Sequence, residues 1–240
     1  MIARAPVVAV TLRGLLDRRR FWLMVGLAAI PVLVVIIATV VANERLDEEA
    51  FDELFVRIVL PLVALVFGTG ALGTEIDDGT IVYLLTKPMR RWRVVLSKGI
   101  VAAGLTMALL VPAVALAGVI GAAGEPDLLQ ATGAYAVAIA VGGAAYALGF
   151  MTLSSFTTRA LAVGLGYVLV WEGILGGLLD GTRLFSVRQA TLGLANELAG
   201  TGRSDTLDGT AAVVVLGAVI VGSFLICSWR MSRYQIKGGD

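Results

Sequence analysis

The chain has 240 residues, of which 58% are hydrophobic and only 15% are charged, and its net charge is +1. This composition leaves too little polar surface for a water-soluble domain of this length. The chain has no histidine and a single cysteine, Cys227. A histidine metal site, a Ser-His-Asp triad and an internal disulfide are therefore excluded.

Residues 1–20 precede the first long apolar run and have the pattern of an amphipathic helix. Val8, Leu12, Leu15 and Leu16 are spaced at i, i+4, i+7 and i+8, which places them on one helix face. Arginines occupy much of the remaining surface. We predict an interfacial elbow helix, lying among the headgroups and anchoring the first span.

Six apolar runs follow, and each has the ~20 residues that a helix needs to cross a hydrocarbon core of ~30 Å. The sequence therefore predicts an all-α integral membrane protein, with one transmembrane domain over residues 1–240. The six predicted spans are Phe21–Ala42, Leu54–Thr74, Val94–Ala123, Ala131–Leu153, Ala160–Leu179 and Thr210–Trp229.

The loops indicate the orientation of these spans. If the N-terminus is cytoplasmic, 14 of the 19 Lys and Arg residues lie inside and 5 lie outside. Positive residues accumulate on the cytoplasmic side of short loops. We therefore expect a multi-pass protein of a bacterial-type inner membrane, with both termini in the cytoplasm.

The connection 180–209 is the longest on the predicted outer side. It mixes apolar residues such as Leu184, Phe185 and Leu192 with Arg188 and Glu197. This segment is too apolar for a free loop and too short for a folded domain. We predict short helices that lie at the outer interface or dip into it.

The cytoplasmic loop 75–98 is the most specific stretch. Asp77 and Asp78 can cap a helix that begins near Gly79, and Pro88 would end it. The helix would carry an apolar face formed by Ile81, Leu84 and Leu85. Such a face needs a partner, which is either the headgroup layer or a groove in a protein.

The same loop resembles that of the permease subunits of type-2 ABC transporters, which are compact six-helix exporters. The positions that carry the resemblance are Glu75, Gly79-Thr80, Leu84-Leu85, Pro88, Arg91 and Lys98. Weaker similarity lies in Tyr167–Gly173 and in Leu184–Ala190. Met89-Arg90 departs from the family pattern, in which small residues are more usual.

The resemblance implies a coupling helix that docks on a nucleotide-binding ATPase. The chain lacks a G-x-x-x-x-G-K-[ST] phosphate loop, so we expect the ATPase to be a separate subunit that binds ATP and Mg, with no cofactor on this chain. The expected partners are that ATPase, a second permease, identical or not, and membrane lipids, but not nucleic acid. The residues expected to couple to the ATPase are Glu75, Asp77, Asp78, Gly79, Thr80, Ile81, Tyr83, Leu84, Leu85, Lys87, Pro88 and Arg91.

Glu172 is the one acidic residue within a predicted span, and Trp171 precedes it. A charge at mid-membrane costs ~2.5–3.5 kcal/mol on insertion scales, so such a residue is usually buried and paired. Glu172 and Trp171 either belong to a substrate path or gate, or serve a structural hydrogen-bonding role. A proton-coupled secondary transporter that uses Glu172 is the alternative function, and a polytopic membrane enzyme is a weaker one.

Overall fold

The computed structural model of the chain describes residues 11–12, 14–15, 18–41, 52–77, 91–122, 126–175, 184–200 and 206–233. Within these ranges the regular elements are helices, and none is a strand. The predicted all-α class is therefore confirmed for this part of the chain.

Seven helices make up the described bundle, and three of them contain a π-helical stretch. Helix α1 is Arg18–Ile36 and continues as a π-helical turn, Ile37–Val41. Helix α2 begins as the π-helix Asp52–Val59 and continues as Leu60–Asp77. The other helices are α3 (Arg91–Ala122), α4 (Pro126–Ser154), α5 (Ala160–Gly166, then π-helical over Tyr167–Leu175), α6 (Val187–Ala199) and α7 (Gly209–Ser232).

Five of these helices are long and apolar enough to cross a membrane. They correspond to five of the six predicted spans and confirm a multi-pass membrane protein. By length and composition, the candidate spans are Phe21–Val40, Asp52–Gly73, Arg91–Gly121, Leu129–Ser154 and Gly209–Ser232.

The sixth predicted span, Ala160–Leu179, is described only in part, as helix α5. Its apolar portion, Ala160–Gly173, is shorter than a span. Helix α5 is described as far as Leu175, and residues 176–179 lie outside the described part. Within the described residues there are five candidate spans and one shorter apolar helix, and a sixth complete span stays a prediction.

Helices α2 and α4 form the centre of the bundle. Their candidate spans are 67% and 61% buried, whereas those of α1 and α7 are only 22% and 17% buried. Helix α4 packs against α2, α3, α6 and α7. The close approach of α2 and α4 requires Gly68, because a Cβ atom there would press against the Ala147 carbonyl oxygen. Small residues commonly allow such contacts between apolar helices.

Five arginines from the start of α3, the α4–α5 turn and the end of α7 gather at one end of the bundle. Contacts join the start of α3 to the end of α7, and the end of α7 to the turn between α4 and α5. We call this the arginine-rich end, and its arginines include Arg91, Arg93, Arg159, Arg230 and Arg233. At the opposite end, the Tyr135 hydroxyl on α4 donates to Asp52 at the start of α2.

The structure describes only parts of the predicted elbow helix and of the connection 180–209. Near the N-terminus, Thr11, Leu12, Gly14 and Leu15 are helical. Leu15 is buried and lies against Gly70 of α2. The placement of residues 1–20 at a membrane interface stays a prediction. The connection 180–209 contains helix α6, as expected, while residues 180–183 and 201–205 lie outside the described part.

Candidate functional site

The residues that flank the predicted coupling loop are the end of α2 and the start of α3, and the start of α3 lies at the arginine-rich end. Glu75 and Asp77 belong to the last turn of α2, and Arg91 is the first residue of α3. The other predicted coupling residues fall within 78–90, which lies outside the described residues. The coupling helix and its apolar face therefore stay predictions.

The Arg91 side chain binds the end of α7. Its Nη1 donates to the Met231 carbonyl oxygen at 2.7 Å and to the Ser232 carbonyl oxygen at 2.9 Å. The last carbonyls of a helix lack partners within the helix, and a cation near them is favoured by the helix dipole. Arg91 therefore satisfies the C-terminal end of α7 and fixes the exit of the coupling loop to it.

Lys98 joins α2 and α3 about two helix turns further into the bundle. It has no exposed surface, and its Nζ donates to the Ala71 carbonyl oxygen at 2.6 Å. A buried ammonium is strongly unfavourable unless acceptors surround it. This bond holds the two helices that flank the loop against each other, so both ends of the loop start from fixed positions.

Glu172 lies on α5, twelve residues from the start of that helix, or about 18 Å along its axis. Its side chain is 1% exposed. Oε1 accepts hydrogen bonds from the Tyr167 hydroxyl at 3.0 Å and from the Val187 backbone N–H at 3.1 Å. Oε2 accepts a short hydrogen bond from the Ser186 hydroxyl. Both carboxylate oxygens are therefore bound to groups of the chain itself.

The carboxylate of Glu172 thereby anchors the N-terminus of α6. Ser186 is the N-cap of that helix, and its hydroxyl oxygen also accepts from the Gln189 N–H at 3.1 Å. An anion is favoured beside the unpaired N–H groups and positive dipole end of a helix N-terminus. The contact joins the interior of α5 to the helix in the connection between α5 and α7.

Trp171 supports the same junction. Its indole N–H donates to the Phe185 carbonyl oxygen at 3.3 Å, next to the N-cap. On the other side of α5, Arg57 of α2 donates to the Gly173 carbonyl oxygen at 3.3 Å. Three consecutive residues, 171–173, thus attach α5 to its neighbours. The structure brings Trp171 and Glu172 together with α6, and their use in a substrate path stays a prediction.

Helix α6 packs closely against α4. Gly142 of α4 faces Thr191 of α6, and a Cβ atom at position 142 would collide with the threonine side chain. Gly200 ends α6 with φ of 71°, the left-handed conformation that glycine adopts without strain. Helix α6 is therefore fixed by the carboxylate at its first residue and by close packing along its length.

The described residues contain no cluster of three acidic or sulfur side chains that could hold a metal ion. Where Glu172 of α5 meets the N-terminus of α6, the side chains can form hydrogen bonds and can hold a negative charge beside the helix end. At the arginine-rich end it is the binding of carbonyl groups by Arg91, Lys98 and Arg230.

Sequence reasoning missed the partners of these groups. Ser186 and Gln189 have the S-x-x-Q spacing of a capping box, which could have marked the start of α6. In the sequence, Arg230 contributes only to the charge count that indicates orientation, whereas in the structure its Nε lies 3.4 Å from the Ser155 carbonyl oxygen. Nothing in the local sequence signals that contact.

A comparison with known families adds to this geometry. The model of the family described as "ABC-2 family transporter protein" matches residues 16–174, from the residues before α1 to the end of α5. No curated protein was found to match the chain. Because the match covers well over half of the 240 residues, this multi-pass membrane protein belongs to the ABC-2 transporter family.

Proposed function

We propose that the chain is the permease subunit of an ATP-driven ABC exporter, in which a separate nucleotide-binding ATPase drives substrate across the membrane. The family match over residues 16–174 carries the proposal, because it includes the predicted coupling loop and the helices on both sides of it. The apolar character of α1–α5 and α7 supports a membrane transport component.

The proposed topology has six crossings, with α5 as the fifth, and the arginine-rich end in the cytoplasm. The support is the 14-to-5 distribution of Lys and Arg that results from this orientation. Both termini then lie in the cytoplasm of a bacterial-type cell. Helix α6 lies on the outer side, with its N-terminus reaching inward to Glu172.

The proposed ATPase contact is the loop 75–91, with the apolar face of Ile81, Leu84 and Leu85 as its centre. Support comes from the fixed flanks of this loop. Lys98 joins α3 to α2, and Arg91 joins α3 to α7. If the ATPase displaces a loop that is anchored in this way, helices α2, α3 and α7 move with it, because the loop cannot bend independently of them. ATP and Mg would bind to the ATPase.

The working unit we propose contains two permeases and two ATPases. Large apolar side chains are exposed on α1, α5 and α7, including Leu33, Val40, Leu169, Val214 and Leu225. A second permease would cover part of this surface, and lipid would cover the rest.

A proton-coupled secondary transporter remains the second candidate, because Glu172 is a buried carboxylate within an apolar helix. Its contacts favour a different use. Each oxygen accepts from the protein itself, and one partner is the backbone of α6. The secondary transporter would work without an ATPase, which separates the two candidates experimentally.

The test is isolation of the affinity-tagged permease from its native host in mild detergent, followed by mass spectrometry of the bound proteins. The proposal expects an ATPase with a phosphate loop, in a one-to-one ratio with the permease, and ATP hydrolysis by the purified complex in lipid nanodiscs. Substrate transport by the permease alone in proteoliposomes, with only a proton gradient applied, would instead support the secondary transporter.

A further inference from the structure

The last turn of α7 is bound on two sides at the arginine-rich end. Met231 and Ser232 accept from Arg91, the first residue of α3. Arg230, the residue before them, donates to the Ser155 carbonyl oxygen in the turn that joins α4 to α5. We call the set of Arg91, Arg230, Met231, Ser232 and Ser155 the arginine clasp.

The Arg91 half of the clasp connects the coupling loop to α7. Arg91 follows directly on residues 78–90, and its guanidinium makes bonds of 2.7 and 2.9 Å to two carbonyl oxygens of α7. Charged donors form the stronger class of hydrogen bonds. Any displacement of the start of α3 therefore acts directly on the end of α7.

The Arg230 half connects α7 to the start of α5. Besides the bond to Ser155, the guanidinium lies over the ring of Phe156, 5.3 Å from its centroid. Ser155 and Phe156 belong to a tight turn, in which their N–H groups donate to the carbonyl oxygens of Thr152 and Leu153 at 3.0 Å. Helix α5 begins a few residues later, at Ala160.

Little of α7 is buried in the described bundle, and both contacts involve its last turn. Only 17% of its candidate span is buried in the described bundle. It is a continuous helix of 24 residues. A displacement of its last turn would therefore move the whole helix. A second bond, from the Thr152 hydroxyl to the Ser223 carbonyl oxygen at 2.9 Å, binds α7 to the end of α4 near the same turn.

We infer that the arginine clasp is a mechanical relay, in which displacement of the coupling loop reaches α5 through the last turn of α7. Arg91 and Arg230 are then positioning residues for transport. The inference rests on the proposed function, since it needs an ATPase that moves the loop. It adds a route that runs through α7, which lies outside the 16–174 segment of the family match.

The experiment reports the movement of α5 directly. A nitroxide is attached at Val163→Cys, an exposed position on α5, in a Cys227→Ala background, and the permease–ATPase complex is placed in nanodiscs. The change in nitroxide mobility is measured between the nucleotide-free complex and the complex with ATP and vanadate. ATP hydrolysis and the permease-to-ATPase ratio are measured on the same samples.

The relay predicts that Arg230→Gln reduces the nucleotide-dependent change about three- to tenfold, while the ATPase still copurifies and hydrolyses ATP. Arg230→Lys keeps a donor for Ser155 and is expected to retain most of the change, which a general loss of packing would not allow. The matched control is Arg233→Gln, because Arg233 is exposed and stacks on Trp229 of its own helix, with 4.3 Å to the ring centroid. It should leave the change intact.

Arg91→Gln should reduce the same change, and its combination with Arg230→Gln should be no worse than the stronger single variant, because the two contacts act in series. A wild-type change in Arg230→Gln, or strictly additive losses in the double variant, would overturn the relay. A wild-type complex that hydrolyses ATP while α5 stays unchanged would overturn the relay alone, whereas a permease that copurifies no ATPase would overturn the proposed function.

Discussion

The Nζ of Lys98 lies 2.6 Å from the carbonyl oxygen of Ala71, in a site with no exposed surface. Helices α2 and α3 are thus joined by a buried cation about two helix turns from the loop that connects them. Membrane proteins rarely bury such a charge without a purpose. Here it holds together the two helices that flank the proposed docking element.

Lys98→Met should lower the stability of the permease by about 1–3 kcal/mol, because the buried acceptors around the ammonium lose their donor. The measurement is the unfolding temperature of the detergent-solubilised protein by intrinsic fluorescence. Ile100→Met is the control, since that side chain is exposed on the same helix. If Lys98→Met unfolds at the wild-type temperature, Lys98 does not stabilise the contact between α2 and α3.

Glu172→Ala should release the N-terminus of α6, since it removes the acceptor shared by Tyr167, Ser186 and Val187. We expect a loss of about 1–3 kcal/mol in stability and faster hydrogen exchange at the amides of 187–191. Glu172→Gln keeps one acceptor oxygen and should lose less. The control is Glu197→Gln, which changes an exposed glutamate on α6.

The variants Glu172→Gln and Glu172→Ala also test whether Glu172 belongs to the substrate path, as predicted. If the residue serves transport, Glu172→Gln should lower substrate-stimulated ATP hydrolysis in an assembled complex. Normal transport by both Glu172→Gln and Glu172→Ala would confine the residue to the anchoring of α6.

The sequence was sufficient to locate the helices and insufficient to pair their polar groups. Apolar runs such as Val94–Ala123 mark helices because length and composition alone decide whether a segment can cross a bilayer. Glu172 stands out for the same reason, as a charge in an apolar run. Its partner Ser186 lies fourteen residues further along, and only the packing of α6 brings the two side chains together.

The binding partner of Arg91 could not be predicted from the sequence either. In the sequence it is a basic residue of the coupling loop, and such residues are explained equally well by orientation or by ATPase docking. In the structure its guanidinium binds carbonyl oxygens 140 and 141 residues away. A positive charge in a loop does not specify which helix end it will satisfy, because every helix C-terminus offers the same unpaired carbonyls.

The proposed orientation predicts a labelling pattern in intact cells. A cysteine placed at position 48 should react with an impermeant maleimide added outside, and a cysteine at position 90 should react only after the membrane is opened. Both are introduced in the Cys227→Ala background. The expectation follows from the 14-to-5 distribution of Lys and Arg. Labelling of position 90 and protection of position 48 in intact cells would reverse the orientation.

The central claim is that residues 78–90 dock an ATPase, and it is tested most directly by the double variant Leu84→Asp/Leu85→Asp. Two charges on the predicted apolar face should exclude it from an ATPase groove without altering the spans. Met89→Asp adds a charge to the same loop beyond Pro88 and serves as the control. The measurement is the ratio of ATPase to permease after affinity purification, together with transport in proteoliposomes. We expect the permease to insert normally, the copurifying ATPase to be lost and transport to stop. A double variant that keeps the wild-type ratio and still transports would contradict the assignment of this loop as the docking element.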